Sequence, residues 1–71
     1  MSNSEHKVLQ PHEQRVVEER DQLKDRLDKL RDFLQKGQPK FIDEKNWALL
    51  NEQCDAMNWY YTILDSRIEL F

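Results

Sequence analysis

The sequence predicts an all-α fold, an antiparallel two-helix hairpin that assembles into an oligomeric helical bundle. The composition is rich in charged residues, Leu and Gln, but holds only one Gly and two Pro, which favours long helices with few turns. Apolar residues recur at helical spacing in two long segments, with Gly37 and Pro39 in the short stretch between them. The hairpin should span residues 10–71, and residues 1–9 should form an N-terminal tail or a short helical turn.

Helix 1 is predicted over about residues 11–36. Pro11 suits the first helical position, because the N–H that proline lacks would be unpaired there. The back of this helix is heavily charged, and its front carries one apolar stripe, formed by Val16, Leu23, Leu27, Leu30 and Leu34. Arg20 falls inside that stripe, so we expect it to pair with a carboxylate.

The turn is predicted at residues 37–42 and helix 2 at about residues 43–70. Gly37 can take the left-handed conformation that ends helix 1. Asp43 is a strong N-cap residue for helix 2. Phe41 is expected to close the loop end of the core. The similar helix lengths and the short connection indicate that the helices run antiparallel.

Helix 2 carries two apolar stripes that lie about 100° apart around its axis. The first seam comprises Trp47, Leu50, Cys54, Met57, Tyr61, Leu64, Ile68 and Phe71. The second seam comprises Leu49, Gln53, Ala56, Tyr60, Ile63, Arg67 and Leu70. In an antiparallel hairpin, Val16 of helix 1 should lie near Leu64 of the first seam.

The second seam predicts self-association, because a single partner helix can cover only one of the two stripes. Burying a large apolar side chain contributes about 1.5–3 kcal/mol, which could reach on the order of 10 kcal/mol for a symmetric dimer before ordering costs. That is large for so short a chain. We therefore expect a homo-oligomer, a dimer or higher, whose interface contains Leu49, Ala56, Tyr60, Ile63 and Leu70.

Composition and charge exclude several classes of function. A formal net charge of −3 makes general coating of nucleic acids unlikely. Cys54 is the single cysteine, so no intramolecular disulfide can form, and a reducing, cytoplasmic location is expected. No segment is apolar enough to span a membrane or resemble a signal peptide, so we expect an intact small cytosolic protein. His6 and His12 lack further ligands at metal-binding spacing, so we expect no metal, no cofactor and no enzymatic activity.

One basic cluster is a candidate ligand-binding site. The hairpin should bring the start of helix 1, with His12 and Arg15, beside the end of helix 2, with Arg67. The N–H groups of a helix N-terminus favour anions, and Tyr60 could add a stacking surface. His12, Arg15, Tyr60 and Arg67 are therefore the predicted residues for a phosphate-bearing ligand. The alternative is that the basic residues form surface salt bridges with nearby carboxylates.

Two motifs carry a resemblance to a known group of proteins. The first is Pro11-His12-x-x-Arg15-Val16-Val17-x-Glu19, followed by Leu23, Leu27, Leu30 and Phe33; the second is Leu49-Leu50-x-x-Gln53, followed by Met57, Tyr60 or Tyr61, Leu64 and Arg67-Ile68. Across about residues 10–68, the chain resembles small phage-encoded helical-hairpin proteins related to one from a crAss-like phage. The resemblance implies a phage or prophage origin, and hence the host cytoplasm. Small oligomeric helical phage proteins of similar build include anti-defence sponges that sequester cyclic nucleotides.

Three functions fit these observations. The first is an oligomeric phage protein that sequesters a phosphate-containing immune signal, such as a cyclic nucleotide, to counter host defence. The second is a helical inhibitor or adaptor that binds a host defence protein such as a nuclease. The third is a structural or regulatory dimer with local DNA contact, which the acidic charge disfavours.

Overall fold

The structure, a computed structural model, describes residues 8–71 and contains two α-helices in that range. Helix α1 spans Pro11–Gln35 and helix α2 spans Glu44–Glu69. They pack side by side as an antiparallel hairpin about 52 Å long and 19 by 16 Å across. The predicted all-α hairpin is therefore confirmed. The tail or helical turn predicted for residues 1–9 lies largely outside the described residues.

Local sequence signals account for the helix ends. Pro11 occupies the first turn of α1. At the other end of α1, Gly37 has a φ of +90°, a conformation that glycine adopts without strain, and its N–H donates to the Leu34 carbonyl oxygen at 3.2 Å. The Asp43 carboxylate accepts a hydrogen bond from the Asn46 N–H at 2.8 Å, which caps α2.

The core follows the first seam of α2. Every member of that seam is at least partly buried, and Leu64 is fully buried. Val16 and Leu23 of α1 pack with Leu64 in one cluster, as the predicted pairing of Val16 with Leu64 requires. Nearer the turn, the rings of Phe33 and Trp47 lie 6.1 Å apart in a tilted arrangement.

One prediction for the turn is wrong. Phe41 does not close the end of the core: its side chain is exposed. The turn instead places Ile42 inward, and the Gln38 side-chain amide donates to the Ile42 carbonyl oxygen at 2.9 Å. The Ile42 N–H donates in turn to the Pro39 carbonyl oxygen at 3.1 Å. These bonds fix the connection in a form that turns Phe41 towards solvent.

Neither helix of the described residues has an apolar stretch long enough to cross a membrane. Along the back of α1, charged side chains form ion pairs four residues apart, Lys24 with Asp28, Lys29 with Asp25 and Lys36 with Asp32. Each such pair supports an exposed helix face only slightly, because water screens the charges. The charged back of α1 therefore faces solvent, whereas α2 carries a row of exposed apolar side chains.

Candidate functional site

The second seam of α2 is exposed along its whole length. All seven of its residues are classed as exposed, and the exposed fraction is 54% for Leu49, 41% for Tyr60, 42% for Ile63 and 86% for Leu70. Trp59 beside it is 66% exposed. Gln53 and Arg67 interrupt the seam, and its other members are apolar. Exposed apolar patches mark interaction sites on soluble proteins. The prediction that α1 would leave this seam uncovered is confirmed.

The basic residues lie at one end of the hairpin. Val16 packs in the same cluster as Leu64, and Ile68 and Phe71 pack against that cluster, so the start of α1 lies beside the end of α2. His12 and Arg15 are in the first turns of α1, and their side chains are exposed.

Two of the predicted site residues belong to the second seam itself. Arg67 is exposed in the last turn of α2, and Tyr60 is exposed about two turns earlier on the same seam. All four predicted ligand residues are therefore exposed; His12, Arg15 and Arg67 lie on the helix ends that pack beside each other, and Tyr60 lies about two turns from that end. Whether the four bind a common ligand stays a prediction.

The N-terminus of α1 differs from the open helix end that the sequence suggested. The Glu13 carboxylate accepts a hydrogen bond from the Gln10 N–H at 2.8 Å, as part of a capping box. This bond satisfies one backbone donor, and it holds the negatively charged Glu13 carboxylate at the helix end that carries His12 and Arg15. An anion at this position would therefore be held mainly by the basic side chains, and only weakly by the helix end.

A groove lies at the opposite end of the second seam, next to the turn. We call it the turn-end groove; it has a volume of about 310 Å³ and is lined by Phe41, Ile42, Asn46, Leu49, Leu50 and Gln53. The sequence did not predict it. The only signal was the excess of apolar residues at the start of α2, because the groove also depends on the path of the turn.

The described residues offer no other site with clear chemistry. Within residues 8–71, no group of three His, Cys, Asp or Glu side chains is placed to hold a metal ion. Cys54 is a partly buried member of the first seam, as expected for a small core residue. The features with potential for recognition are thus the second seam, the basic end and the turn-end groove.

Comparisons with known proteins give one match, and it covers both helices. No curated protein and no solved structure matches the chain. A protein-family model described as Sequestin matches residues 10–70, which include all of α1 and α2. Because the match spans the whole hairpin, the chain belongs to the Sequestin family.

Proposed function

We propose that this protein is a homo-oligomer of phage or prophage origin that sequesters a phosphate-containing immune signal, a cyclic nucleotide, and so counters host defence. It would act in the cytoplasm of the host cell. The family name Sequestin supports the general part of this proposal, since it describes sequestration, a binding role rather than a catalytic one. The identity of the ligand rests on the chemistry of the basic end.

The observation that carries the proposal is that the exposed second seam ends where the start of α1 packs beside the end of α2. Tyr60 and Arg67 belong to the seam, and His12 and Arg15 lie on the helix end packed beside it. Self-association through the seam would therefore assemble copies of the basic end in a fixed arrangement. Each copy would contribute one site. This suits a protein that removes a signal by binding it, because each chain can then hold one signal molecule.

The side chains of the site suit the two parts of a nucleotide. Arg15 and Arg67 can bind phosphate oxygens through charge-assisted hydrogen bonds, and His12 can add a further donor. Tyr60 offers an aromatic face on which a base can stack. Glu13 opposes anion binding, so at least two of the basic groups must act together.

Isothermal titration calorimetry against cyclic dinucleotides and trinucleotides tests the proposal. We expect saturable binding to at least one of them at micromolar or lower concentration. The linear dinucleotide of the same bases is the matched control, since it presents similar groups without the closed ring. Heat changes indistinguishable from dilution for every cyclic compound would refute the ligand proposal.

A second candidate is a helical inhibitor or adaptor that covers a host protein such as a nuclease. The exposed second seam favours it, because an apolar stripe flanked by charged residues can equally pack on another protein. Pull-down from host lysate distinguishes the two. A stoichiometric host protein, with no small molecule retained after gentle purification, would favour this function over the first.

A further inference from the structure

We propose that α2 pairs with α2 of a second copy in an antiparallel, two-fold arrangement, in which Leu70 of each copy fills the turn-end groove of the other. The inference rests on the proposed homo-oligomer and supplies its geometry. Three independent features of the second seam agree on a single register.

The first feature is a match between a protruding side chain and a groove. Leu70 is 86% exposed at the end of the second seam, and the turn-end groove lies at its beginning, around Leu49. The groove is open, and its volume of about 310 Å³ exceeds the roughly 150 Å³ of an engineered apolar cavity that holds benzene, so a leucine side chain has room in it. Only antiparallel pairing brings the two ends of the seam together, and two-fold symmetry then fills both grooves.

The second feature is charge. Arg67 lies three residues before Leu70, and Glu52 lies three residues after Leu49. When Leu70 of one copy faces Leu49 of the other, Arg67 therefore faces Glu52 across the interface. A parallel, in-register pairing would instead place Arg67 of one copy against Arg67 of the other. Like charges at close range oppose association.

The third feature is side-chain size. The same register places Ala56 of each copy opposite Ile63 of the other, so that a small side chain meets a branched one. The two-fold axis then passes between Trp59 and Tyr60, which are both exposed in the single hairpin. These aromatic side chains would lie at the centre of the interface, and a base stacked on Tyr60 would then be held between the two copies.

Another antiparallel register is less favourable. Stacking Ala56 on Ala56 of the second copy would allow a close approach of the helices, but it would place Arg67 opposite Lys45. The proposed register avoids this repulsion. It also leaves Arg67 able to bind a ligand, because a guanidinium has five N–H donors and one carboxylate accepts only some of them.

Disulfide cross-linking of single-cysteine variants in a Cys54→Ala background tests this register. We expect Tyr60→Cys to cross-link with itself, because it lies beside the two-fold axis. Leu49→Cys and Leu70→Cys should each stay uncross-linked alone and should cross-link to each other when mixed. Self-cross-linking of all three variants would indicate parallel pairing and would overturn the inference. A mixture of Leu49→Cys and Leu70→Cys that forms no cross-link would exclude the proposed register and would also overturn it.

A variant at the protruding leucine tests the groove contact in solution. Leu70→Glu should raise the dissociation constant of the dimer at least about tenfold, measured by light scattering across a dilution series. Val8→Glu is the matched control, since Val8 is equally exposed but lies outside α2 and its seams. Equal dissociation constants for the two variants would overturn the proposal, as would a mass of 8.7 kDa for the unmodified protein at all concentrations.

The same samples separate this inference from the proposed function. Circular dichroism should show unchanged helix content in Leu70→Glu, because this side chain makes little contact within one hairpin. Ligand binding by calorimetry is measured on the unmodified protein, because Tyr60 is itself a predicted ligand residue. Cyclic-nucleotide binding by a protein that fails the cross-linking test would overturn the dimer geometry alone, and a correct cross-linking pattern without binding would overturn the ligand alone.

Discussion

Arg20 of α1 donates a hydrogen bond to the carboxylate of Asp65 of α2, with 3.0 Å between Nη1 and Oδ1. The pair bridges the two helices beside the core cluster, in the stripe position where the sequence predicted an arginine paired with a carboxylate. The hydrogen bond that the Asp65 carboxylate accepts is the main cause that raises the pKa of the Arg20 guanidinium. Asp21 also contacts Arg20, at 3.1 Å, so the arginine lies between carboxylates from both helices.

Breaking the pair between Arg20 and Asp65 should destabilise the hairpin modestly. A double-mutant cycle with Arg20→Gln and Asp65→Asn should give a coupling of about 0.5–1 kcal/mol in the free energy of unfolding, because both groups retain contact with water. Urea denaturation at one fixed protein concentration measures it. The matched cycle uses Lys24→Gln and Asp28→Asn, a fully exposed pair that should couple less strongly than Arg20 and Asp65. A coupling no larger than that of the surface pair would contradict a bridging role.

Leu64 should be the most sensitive apolar position of α2. It is fully buried between the helices, so Leu64→Ala should lower the free energy of unfolding by about 2–5 kcal/mol. Leu49→Ala is the matched control, because Leu49 is exposed on the second seam. We expect its loss in the dissociated hairpin to stay below about 0.5 kcal/mol. Thermal denaturation followed by circular dichroism at high dilution measures both variants. Equal losses in the free energy of unfolding for Leu64→Ala and Leu49→Ala would contradict the burial of Leu64 between the helices.

The N-cap of α2 should contribute measurably to stability. Asp43→Ala removes the oxygen that accepts the Asn46 N–H and should cost about 1 kcal/mol. Asp43→Asn keeps an acceptor at the same position and should cost much less. Chemical denaturation of the three proteins measures the difference. If the alanine and asparagine variants are equally stable, the cap does not hold the start of α2.

The residues that the sequence placed correctly are those governed by local rules. Asp43 caps α2 because a side-chain oxygen before a helix finds a free N–H, whatever lies elsewhere in the fold. Val16 meets Leu64 because helical periodicity and a short turn fix which residues face each other. The exposure of the second seam follows from the same argument, since α1 has only one apolar stripe to offer.

The residues that the sequence misplaced depend on non-local geometry. The direction of Phe41 follows from the backbone path of the turn, which hydrogen bonds from Gln38 and Ile42 determine. The turn-end groove depends on that same path. At the other end, Glu13 caps α1 and so weakens a helix terminus that the sequence suggested was open to anions. Which residues bind a ligand cannot be derived from periodicity, because that depends on how the helix ends pack and on any association between copies.

The ligand site predicts that two arginines from different helices act together. Arg15→Ala and Arg67→Ala should each weaken binding of a cyclic nucleotide about tenfold, because each removes a charge-assisted contact to phosphate. The matched control is Arg26→Ala, an exposed arginine near the middle of α1 that changes the net charge equally. Calorimetry measures the three affinities at one salt concentration, with the oligomer mass checked for each variant. If Arg26→Ala weakens binding as much as the others, the phosphate senses the overall charge of the protein, and the basic end is not the site.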